Sequence, residues 1–162
     1  MNNFIFIIYL SPMKRNASSS GFTLIELLIV IALIAVLAGA VVISLNPARQ
    51  FAASRDSQRW SHVSAIVGAI TQNITENRGS WTCPSAGALP TTSTAMGTTG
   101  FNICGCLVPS QMAVLPVDPT TGSFTSCSAA YSTGYEIIRA TSTGRVTISA
   151  PSAENGTVTV TQ

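Results

Sequence analysis

The stretch Phe22–Leu45, "FTLIELLIVIALIAVLAGAVVISL", constrains this chain more than any other. It is apolar almost throughout, with a single carboxylate, Glu26, in its first turn. As a helix, 24 residues at 1.5 Å each span roughly 36 Å, enough to cross a bilayer. Lys14 and Arg15, followed by the polar run "NASSSG", precede it, so the positive-inside rule keeps the short N-terminus in the cytoplasm and places the remainder outside. This order differs from an ordinary secretory signal, in which a shorter apolar region leads to a small-residue cleavage site. Cleavage in "VLAGA", after Ala38 or Ala40, is the alternative reading. "FIFIIYL" near the start is too short to span, and Met13 before Lys14-Arg15 is the natural start of a short basic leader.

Beyond Asn46 the chain is one domain's worth of sequence, rich in Thr, Ser, Gly and Ala. Its core is small and benefits from extra staples. Four cysteines, Cys83, Cys104, Cys106 and Cys127, all follow the apolar stretch, which points to two disulfides in an oxidising compartment. Zinc fits less well: Cys104-Gly-Cys106 has a one-residue spacer, and the only histidine, His62, is distant on a helix surface. Four cysteines allow three pairings; Cys83–Cys104 with Cys106–Cys127 is the favoured one, and a direct Cys104–Cys106 bond would strain a very short loop. Without the leader, six arginines (49, 55, 59, 78, 139, 145) balance six acids (26, 56, 76, 118, 136, 154), so no basic patch indicates a nucleic-acid site.

"GFTLIELLIVIALIAVLAGA" resembles the N-terminal segment of type IV prepilins and type II secretion pseudopilins. The resemblance implies that a prepilin peptidase cuts between Gly21 and Phe22, that Phe22 is then N-methylated, and that Glu26 is the acid used in assembly. An acid in a bilayer helix is costly and usually functional. Glu26 reads either as a residue of the headgroup layer or as the counter-charge for the amine freed at Phe22, since buried charges are tolerated mainly when paired. The resemblance also implies a filament of identical subunits, an assembly ATPase and an inner-membrane platform. It locates the subunit in the cytoplasmic membrane before assembly, and in a surface filament or periplasmic pseudopilus afterwards.

The expected fold is α+β and pilin-like: a long N-terminal helix whose second half packs on a small antiparallel β-sheet head. The expected division is a leader over 1–21, a membrane and filament-core helix over 22–45, an amphipathic helix over 46–79, and a loop-rich β head over 80–162. Asn46-Pro47 interrupts the pattern, either as a kink at Pro47 or as a cap and first position of a second helix. In that helix Trp60, Val63, Val67, Ile70 and Ile74 form an apolar stripe, Arg55, Arg59, Gln72 and Glu76 lie away from it, and Asn77-Arg78-Gly79 is the stop. Residues 84–100 read as a long loop that hides at most short helical or strand pieces. Asn73-Ile-Thr75 and Asn155-Gly-Thr157 match the short N-glycosylation pattern.

"LPVDPTTG", Leu115–Gly122, resembles the Pro-x-Asp-Pro stretch before the sheet of major pseudopilins. Tyr135–Thr141 and Arg145–Ala150 read as a hairpin, and "TVTV" after Gly156 as an edge strand or tail. Major pseudopilins often hold calcium in an acidic loop, but Asp118, Glu136 and Glu154 are far apart in sequence, so neither calcium nor another cofactor is expected. No nucleophile–base pair is present, so a structural subunit rather than an enzyme is expected. A type IV pilus subunit for adhesion, motility or DNA uptake is the first reading and a type II secretion pseudopilin the second. A signal-anchored binding domain or enzyme is the remote alternative.

Overall fold

A computed structural model describes residues 21–162. Residues 1–20, the leader up to Gly21 with Lys14 and Arg15, lie outside the described residues. The chain forms two compact units, one ending at Ser44 and one comprising Leu45–Gln162.

The first unit contains all but the last residue of α1, Leu24–Leu45. Its 22 residues give a rod of roughly 33 Å. Leucine, isoleucine, valine and alanine surround it on all sides rather than forming a stripe, so it has no polar face to turn toward water. The helix is long and apolar enough to cross a membrane.

The second unit begins with α2, Pro47–Glu76. Asn46 adopts a left-handed conformation (φ 42°), and its side chain accepts a hydrogen bond from the Arg49 backbone N–H. Asn46 is the N-cap and Pro47 opens the helix, where its missing N–H costs nothing. The helix stops as expected: Arg78 and Gly79 have positive φ, and the Gly79 N–H closes back on the Ile74 carbonyl at 2.8 Å.

Val63, Val67 and Ile70 are buried, with Ile66 and Ala69 beside them, and Ile74 packs on the core margin. The stripe differs from expectation at its N-terminal end. Trp60 is 46% exposed, whereas Arg59 is completely buried. Arg59 precedes Val63 by four residues and so lies on the same helix face, while Trp60 falls on the flank.

The sheet is a four-stranded antiparallel meander in the order β1 (Thr94–Gly97), β2 (Ser132–Arg139), β3 (Val146–Ala150), β4 (Val158–Thr161). Strands β2 and β3 form the expected hairpin, with Ile137 opposite Ile148, and β4 adds the edge, with Val160 opposite Ile148. Thr133, Tyr135 and Ile137 of β2 alternate inward, as do Val146, Ile148 and Ala150 of β3. Strand β1 lies inside the segment read as loop. Only Met96 gives it an apolar anchor, and its pairing partner, β2, is some forty residues away in sequence, so no local period announced it. A one-turn helix, α3 (Cys104–Leu107), lies between β1 and β2, and α2 packs on β3 and β4.

Candidate functional site

At the N-terminal end, Gly21, Phe22 and Thr23 precede the helix, and Phe22 is 85% exposed. The Thr23 hydroxyl accepts from the Glu26 backbone N–H at 3.2 Å, so Thr23 caps α1 and Glu26 stands three residues into it. A threonine and a glutamate at this spacing are the sequence signature of a capping box. The Thr23 half is made, and the Glu26 carboxylate is exposed. A negative group in the first turn also suits the positive end of the helix dipole. Glu26 is therefore compatible with its own helix while its carboxylate remains open to a partner.

In the head, the Pro-x-Asp-Pro stretch has a structural use. Asp118 is buried, and its Oδ1 accepts from the backbone N–H groups of Thr120 (2.8 Å) and Thr121 (3.0 Å), which closes the turn. Arg59 reaches this turn from α2. Its Nε donates to Asp118 Oδ2 at 2.7 Å, Nη2 to Asp118 Oδ1 at 3.3 Å and to Thr120 Oγ1 at 2.8 Å. Its Nη1 donates to Asp56 Oδ1 at 2.8 Å and Glu154 Oε1 at 3.0 Å. All five guanidinium donors are thus satisfied, which makes the burial of this charge tolerable. Asp56 also accepts from the backbone N–H groups of Glu154 (3.0 Å) and Asn155 (2.7 Å), and Arg55 pairs with Glu154.

The hub corrects the sequence reading at Arg59, which does not face away from the core. Asp118 and Glu154, far apart in sequence, converge on it together with Asp56. The charge at their centre is a guanidinium. Burial pushes the Asp56 carboxyl up, but the backbone N–H groups of Glu154 and Asn155, with Arg59, outweigh it and hold its pKa at about 2. Asp118 is likewise raised by burial, and Arg59 and Thr120 carry it well below the usual carboxylate range. Hydrogen bonds from Arg55 and Arg59 hold Glu154 at about 2.

His62 is half-buried rather than a simple surface residue, with Nδ1 2.9 Å from the Tyr135 hydroxyl. Burial raises the pKa of that tyrosine. Asn73 is buried, and its side chain bonds both backbone groups of Thr82, so it is not free to carry a glycan. Asn155 is exposed, but its side-chain amide donates to Asp56.

All four cysteines are disulfide-bonded, in a different pairing from the favoured one: Cys83–Cys106 and Cys104–Cys127, with Cα–Cα distances of 5.3 and 5.4 Å. The reason is α3. Two residues apart on a helix, side chains diverge by about 200°. Cys104 faces the core, and Cys106 faces Ser85 and the Cys83 loop, its sulfur 3.2 Å from the Ser85 hydroxyl. Sequence spacing alone carried no sign of that turn.

The family model for the prokaryotic N-terminal methylation motif matches residues 16–42. No curated protein and no solved structure matches the chain. The motif implies processing by a prepilin peptidase and filament assembly, and the apolar helix behind it supports a membrane-anchored protein before assembly. With a pilin-like α+β fold behind it, the N-terminal segment of the chain matches the class III signal-peptide motif of type IV prepilins and pseudopilins.

Proposed function

We propose that the chain is a prepilin, cut between Gly21 and Phe22, methylated at Phe22, and polymerised into a type IV pilus. The observation that carries this reading is the methylation motif over residues 16–42, on a helix that exposes apolar side chains on every side. Such a surface needs lipid before assembly and other helices afterwards. Glu26 then pairs with the amine that cleavage creates, and Pro47 marks the passage from assembly helix to head. The contacts are head-to-tail and non-closing, so they build a helix rather than a ring. The family is structural, not enzymatic, and the assembly ATPase and membrane platform belong to the same proposal.

The type II pseudopilin is the second reading, favoured by the Pro-Val-Asp-Pro turn around Asp118. Intact mass of the assembled protein tests the common part. The expected species begins at Phe22 and carries one methyl group; assembled material retaining residues before Gly21 overturns it. Shearing cells separates the two readings, because a pilus is released as fibres and a pseudopilus stays in the envelope. Glu26→Leu is expected to insert in the membrane and be cut, yet to be lost from filaments.

A further inference from the structure

A groove of about 350 Å³ opens between the end of α2, the loop after it and the β2–β3 turn. Ile74 and Leu89 line its apolar part, and Trp81, Arg139, Ser80 and Gly144 are among its other lining residues. The Trp81 side chain is held in place without a ligand, and Arg139 is anchored chiefly through its backbone. The Trp81 indole N–H donates to the Gly87 carbonyl at 2.9 Å, which consumes its only polar group, and the ring packs against Phe101. Arg139 is tethered by its backbone N–H to the Pro90 carbonyl (2.7 Å) and by Nε to the Gly144 carbonyl (3.4 Å). Preorganisation of this kind lowers the cost of binding.

The charge around the groove is one-sided. Among the described residues, salt bridges involve only Arg55 and Arg59, so Arg139 has no acidic partner. Three of the head's acids are consumed in the Arg59 hub. Glu76 is engaged by Gln72 and Gln111, and on α2 it lies across the helix from Ile74. Glu136 alternates with Tyr135 and Ile137 on β2, so it lies on the opposite sheet face from Arg139 and bonds Ser93. No acid lines the groove.

We propose that this groove binds a carboxylate-bearing saccharide, its ring against Trp81 and its carboxylate on the Arg139 fork. An indole offers an apolar face of the right size for a pyranose. A guanidinium matches one carboxylate with two parallel hydrogen bonds. The Ser80 hydroxyl is available to a ring hydroxyl. The volume is at the small end of ligand pockets, which span about 300–1,000 Å³, and suits one or two sugar rings. Arg139 is the single cation among the groove's lining residues, whereas a nucleic-acid strand would call for a track of them. The site belongs to the head alone and stands or falls independently of pilus assembly.

The test is a tryptophan-fluorescence titration of the full chain in detergent, in a Trp60→Phe background so that Trp81 is the sole reporter of the two tryptophans. The probes are trigalacturonic acid, its neutral methyl ester and a single-stranded oligodeoxynucleotide. Expected is saturable binding of the acid at about 0.1–1 mM, weakened about tenfold or more by esterification and by Arg139→Met. The exposed position of Arg139 should leave the melting curve of that variant unchanged. Arg139→Lys should restore only part of the affinity. Absence of saturation by about 10 mM, equal binding of the ester, indifference to Arg139→Met, or tighter binding of the oligonucleotide overturns the proposal.

Discussion

Arg59 Nε lies 2.7 Å from Asp118 Oδ2, across 59 residues of sequence, with both side chains fully buried. This pair locks α2 onto the turn that leads into the sheet, and Asp56 and Glu154 extend the lock to the β3–β4 loop. Three segments of the head thus share one guanidinium. A lysine could not replace it, because an ammonium has three donors and no planar fork.

Asp118 is the one fully buried acid paired with Arg59, and breaking a buried pair by removing one partner typically costs about 3–5 kcal/mol. Asp118→Ala is therefore expected to lower head stability by about that amount in urea melts of the detergent-solubilised chain. A loss below about 1 kcal/mol would place the pair among interactions of surface strength.

Acid should undo the same lock. Asp56, Asp118 and Glu154 all have folded pKa values below their unfolded values of about 4. Depressed carboxyls contribute stability that is fully present above the unfolded pKa and is lost as pH falls through the folded one. The melting temperature should hold from pH 7 to about 5, then drop between about 4.5 and 2. A flat profile down to pH 2 would contradict the ion-pair account.

Non-reducing peptide mapping should recover Cys83 with Cys106 and Cys104 with Cys127. Each bridge closes a sequence separation of 23, for which chain entropy gives about 3 kcal/mol. Cys83→Ser/Cys106→Ser should lose about that much and leave the other bridge intact. Recovery of a Cys83–Cys104 peptide would show that α3 does not direct the pairing.

Gly134 has φ +76°, and a Cβ there would come 2.6 Å from Asp118 Cβ. Gly134→Ala combines a left-handed backbone with a collision against the hub, so it should destabilise by more than about 1 kcal/mol. Gly87→Ala shares the positive φ but meets nothing within 4 Å, so it should cost less. Equal thermal shifts for the two would mean that only the backbone matters at Gly134.

The sequence alone determined whatever depends on near neighbours. The apolar run of α1, the stop at Asn77-Arg78-Gly79, the β2–β3 hairpin and the inward alternation of Val146 and Ile148 are all local patterns, set by helix and strand periods and by turn residues. The motif around Gly21, Phe22 and Glu26 was legible for the same reason, because its residues are contiguous. Tertiary structure alone decided what depends on distant partners. Arg59 is buried because three acids from α2, the Asp118 turn and the β3–β4 loop surround it, and a hydrophobicity pattern assigns any arginine to the surface. Cys104 and Cys106 were divided between partners by one helical turn, β1 exists because β2 offers it a ladder, and His62 left the surface to meet Tyr135. Each case includes a deciding interaction between residues at least 23 apart, beyond the reach of any local period.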